Sequence, residues 1–276
     1  MTIDQQTKAT AFRKLHDRDG AFVIPNPWDV GSARMLATIG FEALATTSAG
    51  MAFALGLNDG AVTPQQTLGH CREIAAATDL PVSADLEQGF GDSPDDVAET
   101  IRAAAGAGLV GCSIEDFSGD RDKPIYDFDH AVELIAAAAE AARSRPFPFT
   151  LTARSENFLC GNPDLDDTIR RLKAFEDEGA DVLYAPGLST LEQIRTVCSE
   201  INQPVNVVMD ASKAGFSVAE LTDAGVKRLS VGAIFARAAY GEFIRAATEL
   251  STNGTFGFTG DVIGKAELEG HFPKSS

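Results

Sequence analysis

The stretch PVSADLEQGFGDSPDDVAETIRAAAGAGLVGCSIE, Pro81 to Glu115, decides the fold. It opens on a short apolar run, Pro81 to Leu86, and enters a helical segment at Ser93-Pro94. That alanine-rich segment ends at Ala107-Gly108, and a second apolar run follows, Leu109 to Glu115. Proline is favoured in a first helical turn because its missing N–H would be unpaired there. Glycine suits the left-handed residue that ends a helix. Runs that are apolar throughout are what strands covered on both faces require, so the stretch predicts one βαβ unit of a parallel sheet.

The same unit recurs along the whole chain. Eight runs carry the strand pattern: Ala21 to Pro25, Glu42 to Thr47, Pro81 to Leu86, Leu109 to Glu115, Pro148 to Arg154, Asp181 to Ala185, Pro204 to Met209 and Lys227 to Val231. Each is followed by helix-like sequence, with further starts at Thr63-Pro64 and Asn162-Pro163 and further ends at Ile39-Gly40, Glu178-Gly179 and Ala224-Gly225. No interior linker rich in Pro, Gly or Ser divides the chain. Eight βα units in 276 residues predict one (β/α)8 TIM-type barrel spanning 1–276, with a doubly wound open sheet as the alternative. Residues 251–276, with the glycine-rich Asn253 to Gly260, form a C-terminal helical extension expected to pack on the barrel or on a neighbouring subunit.

A composition of 44% hydrophobic and 23% charged residues supports a large core. The net charge of −17 argues against nucleic acid as a partner, since phosphate neutralisation needs clustered Lys and Arg. Cys71, Cys112, Cys160 and Cys198 are far apart with no Cys-x-x-Cys pair, so neither a disulfide framework nor a thiolate zinc site is indicated and a reducing compartment fits. Met1 to Asp19 has no apolar h-region and no later stretch reaches transmembrane length, so a cytoplasmic protein without a membrane partner is expected.

In a parallel barrel, chemistry gathers where strands end. Those places carry Asn26, Trp28 and Asp29; Ser48, Ala49 and Gly50; Asp85 and Glu87; Glu115 and Asp116; Arg154 and Glu156; and Asn206. Asp85 and Glu87 are two apart, which on an extended chain points both side chains the same way. With Glu115 they make a hard, all-oxygen set suited to Mg²⁺, or to Mn²⁺ in its place. A single acid after a strand reads as a helix cap or a solvated loop residue, and Asp116 is read so. Three acids at one rim need a cation or protons, and a bound cation is the reading taken. Arg154 suits bidentate capture of a substrate anion, an ion pair with a barrel-mouth acid such as Glu156, or both. Thr46 to Gly50 offers hydroxyls and N–H groups for an oxyanion, or forms a plain turn. His16, His70, His130 and His271 fall on helical or terminal segments, which disfavours a His-zinc site, and no Gly-x-Ser-x-Gly elbow marks a hydrolase. The loop Phe117 to Tyr126, rich in small and charged residues, is expected to act as a lid.

Several motifs together resemble the isocitrate lyase and phosphoenolpyruvate mutase superfamily, in particular its shorter phosphonomutase-like members. They are Asn26-Pro27-Trp28-Asp29, Thr47-Ser48-Ala49-Gly50 leading to Asp59-Gly60, Ser83-Ala84-Asp85-Leu86-Glu87, Gly111-Cys112-Ser113-Ile114-Glu115-Asp116, Thr152-Ala153-Arg154, Asn206 and Arg228-x-Ser230-Val231-Gly232. The resemblance covers nearly the whole chain. It implies a Mg²⁺-dependent barrel in which Asp85 binds the metal directly and Glu87 and Glu115 act mainly through its waters. It also implies stabilisation of a pyruvate enolate, or of its phosphorus-transfer counterpart. Ser48, Ala49 and Gly50 would contact the substrate's carboxylate and oxo group, Asp59 would lie near the metal waters, and Arg154 would bind the anion. Taken with the strand ends, the candidates are Asp59, Glu115 and Arg154 for catalysis and Trp28, Ser48, Ala49, Gly50, Arg154 and Asn206 for a small carboxylic-acid substrate. Asp85, Glu87 and Glu115 are the candidates for the metal. Members commonly form tetramers by exchanging the C-terminal helix, so a homo-oligomer, dimer or tetramer, is expected.

The chain departs from that pattern in three places. Lyases of this superfamily that cleave isocitrate or methylisocitrate carry a Lys-Lys-Cys-Gly-His loop whose cysteine supplies a proton, whereas Asp116 to Pro124 holds no cysteine. The phosphoenolpyruvate mutases carry a Lys and an Asn there; Lys123 is a loose counterpart and no Asn follows. Tyr184-Ala185-Pro186-Gly187 stands where many lyases have a Pro-Glu pair. The last difference suggests a smaller substrate, or one with no hydroxyl to bind there: a lyase or decarboxylase for an oxaloacetate-like or substituted malate-like acid is expected, with a phosphonomutase-type isomerase and a non-catalytic oxo-acid-binding barrel as alternatives.

Overall fold

The structure, a computed structural model, describes residues 3–120, 122–209 and 215–273. Eight strands lie inside the eight apolar runs: β1 (Phe22–Ile24), β2 (Leu44–Ala45), β3 (Val82–Asp85), β4 (Gly111–Glu115), β5 (Thr150–Arg154), β6 (Val182–Tyr184), β7 (Val205–Val208) and β8 (Arg228–Ser230). Each pairs in parallel with its neighbours in the order β1-β8-β7-β6-β5-β4-β3-β2. The Ala45 N–H donates to the Pro25 carbonyl at 3.1 Å, which joins β2 to the end of β1 and closes the ring. The fold is therefore a (β/α)8 barrel, not an open doubly wound sheet.

The helices form where their ends are capped. Thr63 and Ser93 each form a reciprocal capping box, with Gln66 and Asp96, ahead of α4 (Pro64–Ala77) and α5 (Pro94–Gly106). The start expected at Asn162-Pro163 moves: α7 (Leu165–Asp177) begins after Asp164, whose side chain accepts the Asp167 N–H at 3.0 Å. A carboxylate cap at the N-terminal end of the helix dipole decides that boundary over the proline.

Amphipathic α1 (Gln5–Asp17), which the apolar runs do not announce, seats Ala9, Phe12 and Leu15 in a cluster with Phe22 and Ile24 of β1. At the other end of the chain α10 (Ile234–Asn253) buries only Ala236 and leaves Phe243 69% and Ile244 61% exposed. Among the described residues, no helix is long and apolar enough to cross a membrane.

One feature of the register positions the site. Glu115 pairs with Arg154, Arg154 with Tyr184, Tyr184 with Asn206, and Asn206 with Arg228. Residues opposite one another in neighbouring strands share a face, so these five form one row on the inner face of the barrel. The interior is thus polar along this row, where branched apolar side chains usually fill such barrels.

Candidate active site

Strand β3 ends at Asp85, and the chain then turns sharply: Leu86 is fully buried and its carbonyl accepts the Gly89 N–H at 2.9 Å. Gly89 has φ 95, and a Cβ on it would meet Val97 at 2.9 Å, so only glycine fits the turn. Glu87 itself takes a left-handed φ of 52. The expectation that Asp85 and Glu87 share one side of an extended strand is corrected here, because the turn begins before Glu87. Both carboxylates nevertheless line one cavity of about 600 Å³ at the barrel mouth, together with Ser48, Asp59, Glu115, Arg154 and Glu156.

Arg154 organises this cluster. Its Nη1 lies 3.0 Å from Asp85 Oδ1 and 3.0 Å from Glu115 Oε2, and its Nη2 lies 2.8 Å from Glu156 Oε1. The guanidinium also stands 4.9 Å from the centre of the Tyr184 ring. The ion-pair reading of Arg154 is thus realised with three acids rather than with Glu156 alone. The second oxygen of Asp85, Oδ2, accepts the Ser48 hydroxyl at 3.1 Å.

Charge at the mouth is unbalanced. Among the described residues lining the cavity, Arg154 is the only cation, set against Asp59, Asp85, Glu87, Glu115 and Glu156. Burial holds the Glu115 carboxyl well above the ordinary carboxylate range; Arg154 opposes the shift, while Glu156 and Asp85 add to it. Glu156 is raised by burial against the pull of Arg154. Glu87 is pushed up to about 7 by burial, then by the charges of Asp85 and Asp59. Asp59 is raised by burial and by Asp85. No three of the described His, Cys, Asp and Glu side chains converge closely enough for a closed metal cage. The donors do fit a hard divalent cation that keeps most of its waters: they are all oxygen, they open on a roomy cavity, and they lack positive charge.

The other candidates are placed as follows. Ser48, Ala49 and Gly50 form the first turn of α3 (Ser48–Ala54), capped by Thr47. Trp28 packs behind that turn, with its ring centre 6.5 Å from that of Tyr240 and its carbonyl accepting from His70 Nε2 at 2.9 Å. Trp28, Ala49 and Gly50 are not among the residues that line the mouth cavity. Asn206 lies deeper, its Oδ1 accepting from Arg228 Nε at 2.8 Å and its Nδ2 donating to Ser230 at 3.1 Å.

Asp116 is not the solvated cap the sequence suggests. It is 2% exposed, accepts the Glu156 N–H at 2.7 Å and pairs with Arg171 of α7 at 3.2 Å, while burial raises its carboxyl to about 6. A partner 55 residues downstream makes that burial tolerable. Phe117 and Gly119 of the expected lid border the cavity, and Tyr126 anchors the loop's far end to Asp92; Arg121 lies outside the described residues. The candidate list missed Arg228. Its spacing of two from Ser230 at the start of β8 was the available signal of an inward polar pair.

A family model described as phosphoenolpyruvate phosphomutase matches residues 12–251. The crystal structure of a candidate lyase/mutase from Burkholderia cenocepacia J2315 aligns with a TM-score of 0.94 at 57% identity, covering 96% of this chain and 95% of that one. An oxaloacetate decarboxylase of Paraburkholderia xenovorans is 29% identical over 240 residues, 84% of this chain and 78% of that protein. A 2-methylisocitrate lyase of Escherichia coli is 28% identical over 226 residues, 78% of this chain and 75% of that protein.

Proposed function

The chain belongs to the phosphoenolpyruvate mutase and isocitrate lyase superfamily, and from that premise we propose that it is a divalent-cation-dependent lyase or decarboxylase of a small 2-oxo or 2-hydroxy dicarboxylic acid. The observation that carries this reading is the open acidic mouth in which Arg154 holds Asp85 and Glu115 at 3.0 Å each. The loop beside it holds none of the cysteine on which the methylisocitrate-type reaction depends. The relative named oxaloacetate decarboxylase supports a substrate of that size.

In this reading Asp85 would hold the metal, with Glu87, Glu115 and Asp59 assisting mainly through its waters. Bound Mg²⁺, or Mn²⁺ in its place, supplies Lewis-acid polarisation of the substrate's oxygen at C2. Arg154 binds the substrate's anionic group, and Ser48, Ala49 and Gly50 contact its carboxylate and oxo end. When an oxaloacetate-like acid reacts, the pair of the breaking carbon–carbon bond passes toward C2, a pyruvate enolate and CO₂ result, and a proton then enters at C3. The loop Phe117 to Tyr126 keeps bulk water from the enolate. The exposed apolar side chains of α10, among them Phe235, Phe243 and Ile244, support a homo-oligomer.

The test is turnover of oxaloacetate, of alkylmalates and of phosphonopyruvate by the purified protein with Mg²⁺. Release of a 2-oxo acid by carbon–carbon cleavage is expected. Phosphorus–carbon chemistry without such cleavage would replace this reading by the second one, a phosphonomutase-type isomerase, which the match to the phosphoenolpyruvate phosphomutase model favours.

A further inference from the structure

The inner row that begins with Glu115 and Arg154 at the mouth ends on Arg228, which is 5% exposed. Its guanidinium donates to Asn206 Oδ1 at 2.8 Å and to Thr152 Oγ1 at 2.9 Å, both neutral, and its Nη1 is buried without a partner among the described residues. Arg154 has three carboxylates around it and Arg171 has two. Arg228 has none among the described residues, and burial pushes its pKa down to about 10, opposed only by the Tyr184 phenol. Buried charges are ordinarily paired, because an unpaired one costs several kcal/mol. A guanidinium that keeps a free donor inside a barrel is therefore a receptor for an anion.

The space to receive one is present. A cavity of about 70 Å³ is lined by Arg228, Asn206, Ser230 and Tyr184 on one side and by Asp85 and Arg154 on the other. At roughly 10–15 Å³ for each water-sized sphere, it admits a carboxylate group and excludes anything as large as a phosphate ester with its alcohol. We propose that Arg228, with Asn206 holding its orientation, is the base of a second anion subsite that takes the distal carboxylate of a dicarboxylic substrate. The inference rests on the reading of the mouth as an oxo-acid site and adds a selectivity to it: dicarboxylates over monocarboxylates such as pyruvate. A carboxylate paired with a guanidinium also resists departure as neutral CO₂. Within the proposed function, the subsite therefore favours substrates whose distal carboxylate survives into the product, substituted malates ahead of oxaloacetate.

The experiment is a calorimetric titration of the full-length protein with malonate in EDTA, for wild type, Arg228→Gln and Arg228→Lys. EDTA removes the metal, and Arg154 is kept in every variant, so a difference in malonate affinity between the variants reports on Arg228. Wild type is expected to bind it; Arg228→Gln is expected to bind roughly tenfold or more weakly, the loss of one charge-assisted hydrogen bond, with Arg228→Lys in between. The melting temperature of Arg228→Gln is expected to be unchanged or raised, since an unpaired buried charge has been removed. A purely structural arginine would give a lower melting temperature with unchanged malonate affinity, which overturns the proposal. Should both variants fail to fold, wild-type crystals soaked in bromide decide: an anomalous peak beside Arg228 Nη1 supports the subsite and its absence refutes it. Malonate binding through Arg228 without turnover of any 2-oxo or 2-hydroxy acid would sink the functional reading and leave the subsite standing. Turnover with malonate affinity indifferent to Arg228 would do the reverse.

Discussion

The Arg154 guanidinium stands 3.0 Å from Asp85 Oδ1, reaching from β5 to β3 past the intervening β4. The curvature of a closed barrel makes that reach possible, and it binds the strand ends of the mouth into one electrostatic unit. Removing the cation should expose how strained the unit is. Arg154→Met leaves Glu115 and Glu156 buried without counter-charge, and a cost of about 3–5 kcal/mol is expected at pH 8. The cost should shrink at pH 5, where those raised carboxyls take up protons. Urea denaturation at the two pH values checks it.

Asp116 and Arg171 form a second buried pair, 0% and 9% exposed at the side chain, that fixes the Glu156 backbone through the Asp116 carboxylate. Asp116→Ala is expected to lower stability by about 3 kcal/mol, because Arg171 loses a buried partner and the Glu156 N–H is orphaned. Thermal melts measure this, and a change below about 0.5 kcal/mol, the range of ordinary surface substitutions, would mean that the pair is dispensable.

His16 gives the fold an acid limit. It sits edge-on between the rings of Phe12 and Phe22, its Nδ1–H donates to the Phe12 carbonyl at 2.9 Å, and burial, with Arg228 and Arg13 nearby, drives its pKa down to about 3. The unfolded chain binds the proton near pH 6.5 and the folded one near 3, so this contribution is fully present above 6.5 and is lost as pH falls through that window. About 2 kcal/mol should disappear between pH 7 and pH 5. His16→Gln should flatten that part of the stability–pH curve; an unchanged slope would assign the acid sensitivity elsewhere.

Gly50 sets the position of Ser48. A Cβ there would lie 2.6 Å from Thr47 Cγ2 and 3.0 Å from Trp28 Cβ, so Gly50→Ala must shift the first turn of α3. The expected result is a loss of about 1–3 kcal/mol in stability and, because Ser48 moves off Asp85, a fall in kcat/KM larger than that loss accounts for. Activity retained in full would show that the α3 turn does not position the site.

The barrel was legible because its strands need apolar runs on both faces, and a pattern of that kind survives in single-chain order. Asp85, Glu87, Glu115, Arg154 and Ser48 were legible as a group because barrel strands all deliver their ends to one rim, Asp59 was legible only through the family resemblance, and these six line the same cavity. Trp28 and Asn206 were nominated by the same logic, but one packs behind α3 and the other turns its amide into the barrel. The environment of Asp116 depends on Arg171, and that of Arg228 on having no carboxylate partner among the described residues. Pairings and vacancies between distant strands have no local signature. Nor does the role of α1, whose apolar stripe becomes meaningful only against Phe22 and Ile24.

The account's central claim is that the acidic mouth around Asp85 binds a divalent cation for carbon–carbon cleavage. The most direct measurement is 2-oxo-acid release from the best-turned-over acid of the panel, by wild type and Asp85→Ala, in Mg²⁺ and in EDTA. The predicted result is release by wild type in Mg²⁺ alone, with a loss of about a hundred- to a thousandfold in Asp85→Ala, the scale of one removed charge-stabilising group. Equal release by Asp85→Ala, or release undiminished in EDTA, would contradict it.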